Sequence, residues 1–231
     1  MNVPIVRKVL EKNDAAAAQN RERFDRLGLT CVDLLGGAGS GKTALLEAVL
    51  PILTRNLRVA VLEGDIATTR DAERIAALGV PVVQLTTEGG CHLTAPHVQR
   101  ALGELTLDEL DLLIIENVGN PICPANFALG EHARVALLSV AEGDDKPAKY
   151  PLLFRGADLV VISKCDLLPH VDFNLAAAKT DLRRVNAAAP LLETSARCGT
   201  GIDRLAAWLA HLVGSALRID AAGSAVRTNR K

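Results

Sequence analysis

Residues 36–43 read Gly-Gly-Ala-Gly-Ser-Gly-Lys-Thr, set between an apolar run and a helix-forming run in "LLGGAGSGKTALLEAVL". A glycine-rich turn of this kind aims successive backbone N–H groups at one point, and the helix that follows adds partial positive charge there. That is the chemistry of polyphosphate binding. Gly36, Gly37, Ala38, Gly39, Ser40 and Gly41 would wrap the phosphates. Lys42 would reach the β- and γ-phosphates, and Thr43 would offer its hydroxyl to Mg²⁺. Two carboxylates close other apolar runs: Asp65 ends "VLEGD" and Glu116 ends "LLIIE", with Gly119 three residues further on. A carboxylate at the second of these strand ends is what a phosphate-loop enzyme uses to hold Mg²⁺, here Glu in place of Asp. Thr43, Asp65 and Glu116 are therefore the expected Mg²⁺ set. Lys42 is expected to carry the charge that develops on the phosphates, and Asp65 to orient an attacking water. The plainer alternative for Asp65 is a helix cap or a loop charge.

Two later segments bear on the base. "VVISKCDLL" presents Lys164 and Asp166, and "LLETSARC" presents Ser195 and Ala196. Guanine offers N1–H and a 2-amino group, and one fixed carboxylate accepts from both; adenine has neither donor in that place. The pair resembles the N-K-x-D and S-A motifs of GTPases, with Ser163 where those proteins have Asn. Asn there contacts the base and braces the phosphate loop, so the shorter Ser predicts weaker binding and looser selectivity. Gly37 stands where MinD-like ATPases carry a signature lysine. GTP and GDP are the expected nucleotides.

The five cysteines, Cys31, Cys91, Cys123, Cys165 and Cys198, include no C-x-x-C pair, and their odd number argues for free thiols rather than a disulfide framework. Cys91 and His92 are adjacent, just after an apolar run, and Cys123 follows Glu116 by seven residues. Loops that leave the carboxyl ends of parallel strands gather at one edge of the sheet. Cys91, His92 and Cys123 would then meet beside the nucleotide, as a tetrahedral set for Zn²⁺ or a flatter one for Ni²⁺. On spacing alone the alternative stays open that the cysteines are small buried hydrophobes.

The elements that must position these groups are legible as short, near-continuous apolar runs at 30–36, 58–64, 80–85, 111–117, 134–140, 158–164 and 190–195, the pattern of strands covered on both faces. Helical stretches at 42–55, 69–78, 94–104, 172–187 and 201–217 separate most of them. The fold class predicted is α/β: a doubly wound, mostly parallel seven-stranded sheet flanked by helices. Residues 1–28 read as an N-terminal helical extension that docks on the outside of the sheet or on a partner. Residues 29–217 form the phosphate-loop domain with its metal site, and 218–231 a flexible tail. Aromatic residues are only 3% of the 231, so the core must be aliphatic. The net charge of −1 leaves no footprint for nucleic acid, and no apolar run reaches the roughly 20 residues of a membrane span. With no signal-peptide pattern at its start, the chain is expected in the cytoplasm.

Beyond the motifs, "KNDAAAAQNRERF", "EGDIATTRDAERI", "GCHL", "ENVGNPICP" and "SVAEGDDKPAKYP" resemble the HypB family of hydrogenase nickel-incorporation GTPases, and the likeness extends over nearly the whole chain. The resemblance implies a slow GTPase that dimerises with nucleotide and delivers nickel to the [NiFe]-hydrogenase large-subunit precursor, helped by a HypA-like nickel and zinc protein. It also implies Cys91, His92 and Cys123 as the Ni²⁺ or Zn²⁺ ligands, and a role for Lys146 or Lys149 across the dimer. The family's loop has Pro where Ala38 stands. Neither the N-terminal thiolate motif nor the His-rich stretch of some members is present, so strong N-terminal nickel binding is not expected. A urease-type nickel GTPase is the nearest alternative, although its metal ligands form a Cys-Pro-His run. A GTP-dependent metal-binding interaction module with negligible turnover is another.

Overall fold

The computed structural model describes residues 5–65, 68–87 and 90–220. Seven strands form one sheet: β1 (Thr30–Gly36), β2 (Val59–Asp65), β3 (Val82–Thr86), β4 (Leu112–Glu116), β5 (Ala133–Ser139), β6 (Leu159–Ser163) and β7 (Leu191–Glu193). Every pairing is parallel, in the order β3-β2-β4-β1-β5-β6-β7. Eight α-helices accompany them among the described residues: α1 (Ile5–Leu27), α2 (Lys42–Leu53), α3 (Arg70–Ala76), α4 (Ala95–Ala101), α5 (Lys146–Lys149), α6 (Pro151–Arg155), α7 (Leu175–Val185) and α8 (Ile202–Asp220). The expected strands are all present, and the sheet is wholly rather than mostly parallel. The short α5 and α6 are not announced by apolar periodicity. Each has proline in its first turn, Pro147 and Pro151, where the missing N–H costs nothing.

All seven residues of β1 are buried, which explains its unbroken apolar run. Val32, Leu34, Val61 and Ile114 face α2 and α8, where Leu46, Val49, Leu205 and Leu209 cover them. The opposite face carries two apolar patches. Leu62 and Leu113 lie with Phe24 of α1 and Val98 of α4; Leu35 and Leu138 lie with Phe154 of α6 and Leu182 of α7. The N-terminal helix thus packs on α4 outside the sheet. It ends at Gly28, whose φ of 59° lets the Leu29 N–H turn back to the Phe24 carbonyl at 3.0 Å. Of the expected tail, residues 218–220 continue α8 and 221–231 lie outside the described residues.

Asp33 points from β1 into the core and is fully buried. The Asn117 amide donates to its two oxygens at 3.2 and 3.3 Å. Burial, reinforced by the charge of Glu131, pushes its pKa up to about 8. The folded chain therefore keeps this proton at neutral pH, whereas an unfolded Asp loses it above about pH 4. The contribution is fully present below about pH 4 and is lost as pH rises to about 8. An Asp33→Asn variant should lose that slope. Between pH 5 and 8 its unfolding free energy should fall by on the order of 4 kcal/mol less than that of the parent chain in urea titrations. Parallel curves would mean that Asp33 is ionised in the fold.

Candidate nucleotide and metal site

The phosphate loop leaves the end of β1, the central strand, where the chain switches from one half of the sheet to the other. Gly39 and Gly41 take φ values of 74° and 92°, the left-handed region that glycine enters freely. Lys42 and Thr43 open α2 and are buried beneath the loop. The Lys42 ammonium lies 3.4 Å from the Gly37 carbonyl. Burial lowers its pKa, opposed by the charges of Glu116 and Glu142. The Thr43 hydroxyl donates to Glu116 Oε1 at 2.7 Å.

Glu116 has a neighbour that its sequence context does not advertise. The β2–β4 register sets Glu63 directly beside it, on the same face of the sheet. Burial pushes Glu63 up to about 8 and Glu116 up to about 7, and one oxygen of each carboxylate is buried without a hydrogen-bond partner. Two orphaned carboxylate oxygens beside a threonine hydroxyl suit a hard divalent cation. Asp65 sits at the end of β2, but its carboxylate turns to Thr68, accepting from the N–H at 3.1 Å and the hydroxyl at 2.7 Å. Residues 66 and 67 lie outside the described residues.

The loop is held from three sides. A Cβ on Gly119 would come within 2.9 Å of the Ala38 backbone, so the turn after β4 packs directly against the loop. A Cβ on Gly37 would overlap a Glu142 oxygen, so a lysine at this position would have to displace that carboxylate. On the third side, Ser163 Oγ donates to the Ser40 carbonyl at 2.6 Å and Lys164 Nζ to the Gly39 carbonyl at 2.6 Å. The shorter Ser163 therefore still braces the loop, the role that asparagine has at this place in GTPases. Asp166 Oδ1 accepts from Ser195 Oγ at 2.6 Å, and Ser195 Oγ accepts from the Cys198 N–H at 3.1 Å. Ala196 is half-buried in the same turn.

Cys91, His92 and Cys123 come together. One ligand atom from each lies within 4.8 Å of the others, and they are the one such His, Cys and carboxylate group among the described residues. The Cys91-His92 segment follows β3 and Cys123 follows β4, with β2 between those strands. The crossing needs Gly64: a Cβ there would strike the Leu93 side chain at 2.8 Å. The His92 ring stacks on Phe127, with centroids 4.0 Å apart. Asn120 donates to the Cys91 carbonyl at 3.2 Å, and the Cys91 thiol is pushed up by the neighbouring Cys123. Behind the ligands, Asn117 Oδ1 accepts from the Leu93 N–H at 3.3 Å.

Other candidates fall elsewhere. His97 accepts from the Thr94 N–H as part of the α4 capping box. His132, which shows no partner pattern in the sequence, accepts from the Cys31 N–H at 2.9 Å and meets Asp25 at 2.9 Å. Lys146 and Lys149 both pair with Asp145, and these contacts pull its carboxyl down to about 2.

The profile of the CobW/HypB/UreG nucleotide-binding domain matches residues 31–193. A hydrogenase maturation factor HypB of Azotobacter vinelandii is 49% identical over 214 residues, covering 93% of this chain and 71% of that protein. The chain belongs to the HypB family. A solved HypB from Helicobacter pylori, in complex with nickel, superposes with a TM-score of 0.85 at 37% identity, over 88% of this chain and 96% of the other. HypB from Archaeoglobus fulgidus gives 0.83 at 35%, over 88% and 100%. In this HypB-family chain, the glycine-rich loop after β1 and the cysteine–histidine group share the carboxyl edge of the sheet.

Proposed function

We propose that this chain is a GTP-hydrolysing nickel carrier. In this reading, GTP binding and hydrolysis, together with dimerisation, drive delivery of Ni²⁺ into the [NiFe]-hydrogenase large-subunit precursor. The observation that carries the reading is a shared segment. Glu116, the last residue of β4 and bonded to Thr43 of the phosphate loop, and Cys123, one of the three soft ligands, lie seven residues apart on one short stretch. The nickel-bound relative supports Ni²⁺ as the cargo of Cys91, His92 and Cys123, and the same set admits Zn²⁺.

Backbone N–H groups of residues 36–43 and the start of α2 would hold the phosphates. Lys42 would carry the charge that develops as water attacks the γ-phosphate in line. Thr43, Glu116 and the neighbouring Glu63 fit Mg²⁺, which would neutralise phosphate charge; Asp65, freed from Thr68, would orient the water. Asp166, held by Ser195, reads guanine, and Lys164 covers the loop. Intrinsic turnover is slow, because no arginine finger is evident in the sequence. A HypA-like protein supplies or accepts metal in the cytoplasm.

The test is a Ni²⁺ titration with GDP and then with a non-hydrolysable GTP analogue, following molecular mass in the same samples. Nickel affinity or stoichiometry should change with the nucleotide, and a dimer should appear with the analogue. Binding that is weak and indifferent to nucleotide would leave a GTP-dependent interaction module instead. The urease-type reading has less support, since Cys91 and His92 adjoin without the intervening proline.

A further inference from the structure

Helix α1 carries two asparagines seven residues apart, Asn13 and Asn20, and both are buried, at 3% and 1% exposure. That spacing puts them on one face, two turns apart. Each reaches two separate segments of the chain. Asn13 Oδ1 accepts from the Ala95 N–H at 2.9 Å, and its Nδ2 donates to the Ala128 carbonyl at 2.9 Å. Asn20 Nδ2 donates to the Ala95 carbonyl at 3.1 Å and to the Leu129 carbonyl at 2.8 Å. Ala95 lies three residues beyond His92, and Ala128 and Leu129 lie five and six beyond Cys123.

We infer that α1 is a positioning element of the metal site, in which Asn13 and Asn20 fix the distance between the Cys91-His92 segment and the Cys123 segment. The inference rests on the reading of Cys91, His92 and Cys123 as metal ligands and extends it to the control of that site. Neither segment has a strand ladder where the asparagines grip it. Ala95 is the first residue of α4, so its N–H has no acceptor within that helix, and Asn13 supplies one. The contacts close a ring: α1 to Ala95, back along the chain to His92, across the ring stack to Phe127, and on to Ala128 and α1.

Close approach is built in. Ala16 and Ala17 pack on Ala95 and Ala128, and a Cβ on Gly130 would come within 2.6 Å of Asn20 Cβ and 2.7 Å of the Ala17 carbonyl. A neutral amide suits the role, since it offers an acceptor and two donors and is tolerated in a core only when they are paired. An aliphatic residue at either position would leave backbone groups of the ligand segments unpaired.

The experiment uses the full chain with Asn13→Ala, Asn20→Ala and Asn13→Asp. The last keeps the acceptor for Ala95 while removing the donor to Ala128. Val49→Ala, in the core on the other face of the sheet, serves as the stability control. Ni²⁺ affinity, the thiolate-to-metal and ligand-field bands of bound Co²⁺, and GDP affinity are read for each. A group bonded directly to a metal ligand is worth about 10- to 100-fold in metal affinity, and these asparagines, bonded to the ligand segments three to six residues from the ligands, set the lower end of that range as the expected loss. Each asparagine variant should therefore bind Ni²⁺ at least about 10-fold more weakly, with shifted Co²⁺ bands and GDP affinity within about threefold. Val49→Ala should keep the parent bands and nickel affinity. If either alanine variant fails to melt cooperatively, Asn13→Asp decides. Parent-like nickel affinity and Co²⁺ bands in the folded asparagine variants, or an equal loss in Val49→Ala, would overturn the inference. A parent chain that binds neither Ni²⁺ nor Co²⁺ would instead overturn the metal-site reading itself.

Discussion

An Asp166→Asn variant is expected to lose GTP affinity by roughly 10²- to 10⁴-fold. The carboxylate is an acceptor at both oxygens, and the Ser195 hydroxyl fixes one of them at 2.6 Å, leaving the group oriented for a ligand with two adjacent donors. An amide keeps one acceptor and turns the other atom into a donor, which would face the 2-amino group of guanine head-on. A hydrogen bond to a charged group is worth about 1.5–3 kcal/mol, and an unmatched donor adds its desolvation cost. Xanthine carries a carbonyl where guanine has the amino group, so the variant should bind xanthosine triphosphate better than GTP. Lys42 and Thr43 are untouched by the exchange, so affinity for inorganic triphosphate should not move. Fluorescent-nucleotide titrations read all three ligands. A drop in GTP affinity of less than about threefold would remove Asp166 from base recognition.

The second large effect is expected at Cys123. Cys123→Ala should weaken Ni²⁺ binding by roughly 10²-fold or more, because one of three soft ligands is lost and the remaining Cys91 and His92 are adjacent on a single loop. The nucleotide pocket should barely notice. Cys123 lies beyond Gly119, the point where the segment after β4 packs on the loop, so GDP affinity should stay within about threefold. Cys31→Ala is the matched control: its thiol is buried in the core beneath α1, remote from the trio. Competition titrations with a chromophoric chelator give both affinities. Equal nickel binding in the two variants would sink the assignment of Cys123.

The sheet was legible because parallel strands buried on both faces must be largely apolar, as β1, β4 and β6 are around their few polar residues. The phosphate loop was legible because only glycine tolerates the turns at 39 and 41. What pattern could not convey was adjacency across the sheet. Glu63 looks like one charge in "VLEGD" until the register sets it against Glu116. The carboxylate in an apolar run that singled out Glu116 was present in β2 as well, and in β1 at Asp33. Likewise, Asn13 and Asn20 read as polar residues of an Ala-rich helix. Their seven-residue spacing was visible, but what they grip depends on two segments more than 70 residues away in sequence. The reach of Ser163 to the loop depended on backbone placement, which side-chain length alone did not reveal.

Consecutive residues at the end of β4 look in opposite directions. Glu116 faces α2 and holds Thr43, while Asn117 faces the other way and holds Asp33 and the Leu93 N–H. The peptide unit between them joins the two contacts like the pivot of a seesaw. Under the proposed coupling, a backbone twist that carries Glu116 away from Thr43 would also tilt the amide that tethers the segment carrying His92. The Leu93 N–H, an isotopically labellable spectator with no part in either proposed ligand set, would then serve as a gauge of the phosphate pocket read beside Cys91 and His92.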